Sequence, residues 1–203
     1  GRNQAGSAFK PITLTEFVAR GYSPSTDVDA PRTYTVGDAE ISNYSGAGYG
    51  TVSVRNATTS SINTAYVKMA EELGFESVAE MARRLGIDEE LPVVPSLTLG
   101  AGDVSVMSMA EAYGTLASGG VHHEPFLVTS IESQDGRLLY EHRGDETQVL
   151  DPNVAAVVTD VLVDVVRYGT GTAATLDRPV LGVVDQVPAL LGLTPDLVLR
   201  IDR

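Results

Sequence analysis

The chain has 203 residues, 43% of them apolar and 20% charged, the composition of a folded domain with room for a substantial core. Its 27 acidic residues against 14 basic ones give a formal net charge of −13, which argues against nucleic acid or an anionic lipid surface as partner, because phosphate binding needs a Lys/Arg-rich face. The absence of cysteine excludes disulfides, thiolate metal sites and a cysteine nucleophile. No apolar run approaches the ~20 residues of a membrane-spanning helix.

The opening, Gly1-Arg2-Asn3-Gln4, has no charged-then-apolar leader and reads as the start of a piece of something longer, with any leader or anchor upstream. "GSAFKP" (6–11) looks like a first helical turn, and Ile12, Phe17 and Val18 continue it along one face to Arg20, where Gly21 ends it. "GYSPSTDVDAPRTY" reads as a Pro/Ser/Asp loop, and 37–50, rich in Gly and Asn, as a long surface connection. In "TVSVRNATTSSINTAYVKMAEELG" a β-branched stretch gives way to a helix with Ala65, Met69 and Leu73 at i, i+4, i+8 and Gly74 as its stop.

Two further amphipathic helices follow. "ESVAEMARRLGI" is closed by Gly86, and "SVMSMAEAYGTLASGG" is capped by Ser105 or Ser108 and ended by Gly119-Gly120. Alternation around Asp135-Gly136 predicts a hairpin, and "DPNVAAVVTDVLVDVVRYGTG" a helix with Pro in its first turn and glycine at its exit. The apolar remainder, "RPVLGVVDQVPALLGLTPDLVLRIDR", predicts one or two short strands. No repeat and no second domain stand out, so 1–203 is read as one domain of α+β class, helix-heavy.

Ser7 and Lys10 stand three apart, which places them on one helix face. A serine hydroxyl is a poor nucleophile until a neighbour takes its proton, and a lysine can do so only where burial or other cations lower its pKa. Phe9 and Pro11 would help to exclude water there. Ser61 and Asn63, in a loop entering a helix, can point into the same cleft, where Ser61 relays a proton and the Asn63 amide holds a carbonyl. Each pair also has a plain structural reading: a polar helix start for the first, and a pair of N-caps for the second.

His122, His123 and Glu124 do not make a metal site, since adjacent residues of an extended chain face opposite ways and no third ligand lies at helical spacing; they read as surface loop. "GAGYG" (46–50) reads as a turn and lacks a phosphate-loop lysine.

"RNQAGSAFKP", "GTVSVRNATTSSINTAYVKMAEELG", "VPSLTLGAGDVSVMSMAEAYGTLASGG" and "VVRYGTGTAATLDRPVLG" together resemble the transpeptidase domain of penicillin-binding proteins, most closely the bifunctional class A type. The resemblance runs in order from Arg2 to Gly182. It implies the penicillin-recognising serine transpeptidase (β-lactamase/transpeptidase-like) fold, with a helical part packed on a partial antiparallel sheet that is truncated at its N-terminus.

By the same resemblance Ser7 is the acylated nucleophile, Lys10 its general base, Ser61 the second catalytic serine and Asn63 a substrate-binding amide. Peptidoglycan stem peptides ending in D-Ala-D-Ala are the implied substrate and β-lactams the implied inhibitors. No metal or organic cofactor is implied. The implied location is extracytoplasmic, on the outer face of the plasma membrane, held by an anchor outside this chain. The "GTGT" at 169–172 would lie near the cleft, where Tyr44, Tyr49 and Tyr168 could contribute.

One motif departs from the family pattern. Where K-T-G should follow "RPVLG", this chain has Val183-Val184-Asp185. Loss of the cation and hydroxyl that receive a substrate carboxylate is worth on the order of 2–4 kcal/mol, ~30- to 1000-fold in turnover. A second function class therefore stands beside the enzyme: a non-catalytic remnant that serves as a binding or scaffold module.

Overall fold

The computed structural model describes residues 1–144 and 146–175. The opening strand β1 (Arg2–Gln4) leads into a 3-10 turn (Gly6–Phe9) and helix α1 (Lys10–Ala19). Strands β2 (Asp27–Ala30), β3 (Thr33–Val36), β4 (Ala39–Ser42) and β5 (Gly50–Ser53) precede helices α2 (Val54–Thr59), α3 (Asn63–Leu73) and α4 (Phe75–Arg84). A second 3-10 turn (Pro95–Leu99) and β6 (Asp103–Ser105) lead to α5 (Val106–Ala117). After β7 (Val121–His123), β8 (Ser130–Glu132), β9 (Leu138–Glu141) and β10 (Glu146–Gln148), helix α6 (Pro152–Tyr168) closes the helical part.

The α1 helix is the hub. It packs against α3, α4, α6 and the turn at 95–99, and every residue from Lys10 to Thr15 is buried. The sequence reading gave it one apolar face. The structure gives it an interior position, which Thr13 and Thr15 can occupy because their hydroxyls are satisfied, Thr13 by Thr98 at 2.6 Å and Thr15 by donating to the Pro11 carbonyl at 2.7 Å. Around it, Phe9, Ile12, Leu14, Tyr66, Met69, Leu85, Leu97 and Leu162 form one continuous core.

The predicted helices stand where periodicity put them. Ala65, Met69 and Leu73 are all buried, and the stops at Gly74, Gly86 and Gly119-Gly120 all adopt positive φ. The Ser105 hydroxyl accepts from the Ser108 N–H, which selects Ser105 as the cap of α5. Glu89 reinforces that end. Its burial pushes the carboxyl up, but bonds from the Ser105 N–H and the Ser108 hydroxyl outweigh burial and hold it below its ordinary range. The Asp135-Gly136 hairpin forms as β8 and β9.

The strand part is antiparallel, as the fold class leads one to expect. Among the described residues it is five separate antiparallel pairs: β1 with β6, β2 with β5, β3 with β4, β7 with β10 and β8 with β9. Three loop readings are corrected with it. The segment read as a Pro/Ser/Asp loop contains β2 and the start of β3, the long connection at 37–50 contains β4, and His122-His123 belong to β7, paired to β10. His122 bonds to Glu111 and is half-buried while His123 is exposed, so the opposite-facing argument holds although the loop reading does not. The strands predicted for the apolar remainder, and the Val183-Val184-Asp185 replacement, lie outside the described residues.

Candidate active site

The turn at 6–9 is fixed by a backbone contact that only glycine permits. Gly100 has φ +77°, and a Cβ there would lie 2.2 Å from the Gly6 nitrogen and 2.3 Å from its oxygen. The turn at 95–99 therefore abuts the residue before Ser7. The Lys10 backbone N–H donates to the Ser7 carbonyl, joining this turn to α1.

Lys10 is 1% exposed although it carries an amine. Its Nζ donates to the Ser61 carbonyl at 2.7 Å, to Ser61 Oγ at 2.8 Å and to Asn63 Oδ1 at 2.8 Å. The Tyr66 ring lies 5.5 Å below the nitrogen. Burial pushes the Tyr66 phenol up, and the hydrogen bond with Thr58 only partly offsets this, so the ring is a neutral floor.

Local geometry explains why Ser61 meets Lys10. The α2 helix ends at Thr59 with Ser60 as its C-cap, and Ser61 then takes φ +54°, the single non-glycine positive φ among the described residues. That left-handed kink carries the chain into α3 while its carbonyl faces the amine. Asn63, the first residue of α3, holds the amine with its side-chain oxygen while its Nδ2 donates to the Ser42 carbonyl at 3.1 Å. The N-cap position is Ile62, which offers no side-chain cap, so the reading of Ser61 and Asn63 as an N-cap pair does not describe this helix end.

A cleft of about 530 Å³ opens over these groups. Ser7, Ser61 and Asn63 all line it, joined by Asn43, Tyr44 and Tyr49 from the region after β4 and by Thr170 from the segment after α6. Lys10 lies beneath its floor. Both motif pairs thus reach one cleft. Tyr168, by contrast, is 76% exposed and does not line it. The lining carries no charged side chain among the described residues. No cluster of three or more metal-ligating side chains occurs among them either. Sequence reasoning missed Asn43 and Gly100; a glycine-rich segment and a lone glycine gave no signal of what they would touch.

These contacts have a simple chemical reach. Two of the acceptors around Nζ are carbonyl oxygens, which can only accept, whereas the third is a hydroxyl, which can also donate. The same heavy-atom positions therefore suit an ammonium that donates to all three and a neutral amine that receives the Ser61 proton. A proton can pass between Lys10 and Ser61 without rearrangement.

The family model of the penicillin binding protein transpeptidase domain matches residues 1–184. Penicillin-binding protein 1A of Aquifex aeolicus (strain VF5) is 34% identical over 185 residues, covering 88% of this chain and 25% of the relative. The chain thus spans about a quarter of the length of the curated relatives it matches. Among solved structures, the D,D-transpeptidase domain of the peptidoglycan glycosyltransferase from Eggerthella lenta superposes with a TM-score of 0.78 at 25% identity, covering 87% of this chain and 52% of that one. The ceftriaxone acyl-enzyme complex of penicillin-binding protein A from M. tuberculosis superposes with a TM-score of 0.79 at 26% identity, covering 88% and 46%. The family match, the relatives and the shared fold agree with the S-x-x-K and S-x-N residues found around the cleft: this chain belongs to the penicillin-binding protein transpeptidase domain family.

Proposed function

We propose that the chain, taken as one transpeptidase-like unit over 1–203, carries the acyl-transfer centre of a D,D-transpeptidase that cross-links peptidoglycan stem peptides. Ser7 Oγ attacks the carbonyl of the penultimate D-Ala, its proton passing to the Lys10 amine. The bond to the terminal D-Ala breaks as a proton passes through Ser61 to the leaving nitrogen, and the acyl-enzyme is then taken by an amine of a neighbouring strand. Asn63 stays on the amine through Oδ1, and its Nδ2, with one hydrogen on the Ser42 carbonyl, offers the other to a substrate carbonyl. β-Lactams acylate the same serine; the M. tuberculosis relative has been solved as an acyl-enzyme complex with ceftriaxone. The site works on the outer face of the plasma membrane.

The observation that carries this reading is the burial of the Lys10 amine against both Ser61 and Asn63, directly after the turn that brings Ser7 to the cleft. A water-excluded amine is the setting in which a lysine acts as a base.

A second reading, a binding or scaffold module without turnover, is favoured by one specific feature: Val183-Val184-Asp185 stand in place of K-T-G, and the cleft lining described above offers no cation for a substrate carboxylate. Incubation with a fluorescent penicillin, followed by a denaturing gel, separates the two. Label on the wild type that Ser7→Ala abolishes supports the enzyme. An unlabelled wild type, folded by circular dichroism, supports the module.

A further inference from the structure

Asn43 follows β4 directly and is 5% exposed, yet it lines the cleft. Its Nδ2 donates to the Pro31 carbonyl at 3.0 Å and to the Ala47 carbonyl at 2.9 Å. Its Oδ1 accepts the backbone N–H of Thr64 at 3.0 Å, with the Thr64 hydroxyl 3.1 Å away. The amide orientation follows from chemistry, since a carbonyl cannot donate and an N–H cannot accept.

The Thr64 N–H is one of the orphan donors at the start of α3, whose own cap position, Ile62, has no side chain able to take it. A residue 21 positions upstream supplies the cap instead. The neighbouring Ser42 carbonyl accepts from Asn63 Nδ2, so residues 42 and 43 grip the first two residues of α3 side by side. Asn63 is in turn bonded to Lys10.

The other end of the same amide holds a second part of the cleft lining. Ala47 lies within the segment 44–49, which puts Tyr44, Ser45 and Tyr49 on the cleft. That segment is closed further by the Gly46 N–H donating to the Asn43 carbonyl at 2.9 Å and by the Arg32 guanidinium donating to the Gly46 carbonyl. Gly48 lies against the Arg32 backbone, where a Cβ would come within 3.0 Å.

We propose that Asn43 is the positioning residue of this cleft, a single buried amide that fixes both the helix end presenting Asn63 to Lys10 and the tyrosine-bearing segment that lines the cleft with Ser7. The inference rests on the acyl-transfer reading above. Asn43 touches no reacting atom. Its two halves act on different steps: the Oδ1 cap sets the alignment of the proton-transfer groups, and the Nδ2 grip sets the wall that a ligand must meet.

Two variants separate these halves, with acylation by a fluorescent penicillin resolved into a half-saturating concentration and a limiting rate constant. Asn43→Asp keeps an acceptor for the Thr64 N–H but turns a carboxylate toward two carbonyls. It is expected to raise the half-saturating concentration about tenfold or more while leaving the limiting rate within about threefold of wild type. Asn43→Ala removes both halves and is expected to lower the limiting rate about tenfold as well. Equal effects of the two variants on both constants, or a limiting rate in Asn43→Ala within about twofold of wild type, overturn the proposal.

Amide exchange gives a readout that needs no chemistry. In Asn43→Ala the Thr64 amide and those of 44–49 should exchange faster while α6 amides keep their protection; unchanged exchange at Thr64 overturns the proposal. If the wild type takes no label, the acyl-transfer reading fails by itself, and the exchange comparison still decides what Asn43 holds.

Discussion

At position 61 a backbone requirement and a chemical one fall on the same residue. Its φ of +54° suits glycine better than serine, a mismatch of about 1–2 kcal/mol for a residue with a Cβ. The side chain nevertheless contributes a contact to the Lys10 nitrogen that can both donate and accept. Strain kept where a smaller residue would relieve it points to the hydroxyl as the reason. Ser61→Gly should therefore hold its thermal stability within about 1 kcal/mol of wild type, as relieved strain offsets the added freedom of the unfolded chain and the lost bond. Its rate of acylation by a fluorescent penicillin should fall by about 10²–10⁴-fold, the range for a lost proton-transfer group. Stability and labelling measured on the same preparation check this; a large stability loss with unchanged labelling would make the hydroxyl a purely structural element.

Among the elements, the turn at 6–9 is held by the turn at 95–99 through a contact between two glycines. Gly100→Ala forces a Cβ to 2.2 Å from the Gly6 backbone, so one of the turns must move. Ser7 then shifts relative to Lys10, and displacements of this kind lower rates by about 10²-fold. Gly37, at the β3–β4 turn, is the control: it has φ +56° and nothing within 4 Å of its Cβ position. Gly37→Ala should lose only the backbone-strain part, about 1–2 kcal/mol and less than Gly100→Ala loses, and keep its acylation rate. If both variants label like wild type, the glycine contact does not position the turn.

Helices α3 to α6 were legible because each buries a stripe at helical spacing and ends on glycine or begins on a capping residue. The four candidate site residues were legible as motifs because their spacing is short. Strands β2, β3 and β4 were not, because each has only four residues and little buried side chain; in β2, Ala30 alone is fully buried. Their identity comes from pairing with segments elsewhere, such as Val28 with Val52, which no local window contains. Asn43 was hidden for the same reason, its bonds reaching 12 and 21 residues away.

Across the whole molecule the cleft is assembled from segments at both ends of the described chain, so its shape depends on how α6 is fastened to α2. Two kinds of contact do this. Gly169 lies so close to α2 that a Cβ would fall 2.2 Å from the Thr59 oxygen, and the Thr170 N–H donates to that oxygen at 3.3 Å, bringing Thr170 to the cleft. Further along, Arg55 of α2 donates to both Asp160 and Asp164 of α6. The backbone contact is short-ranged and insensitive to salt, whereas the ion pairs are partly solvated, with Arg55 35% exposed. Each such pair is worth about 0.2–1 kcal/mol and is screened by added salt. Arg55→Met, which keeps an apolar stem, should therefore lower the melting temperature by about 2–4 °C at low ionic strength, the shift expected for about 1 kcal/mol in a domain of this size. In molar salt most of that difference should vanish, since screening reaches ~3 Å there. Val161→Ala on the buried face of α6 provides the contrast: it loses core packing, and its deficit should persist in salt. Acylation in Arg55→Met should stay near wild type below the melting transition, because the glycine contact still holds Thr170 in place. A melting deficit equally large at both salt concentrations would mean that Arg55 acts through its stem, and that the charges joining the two helices contribute nothing.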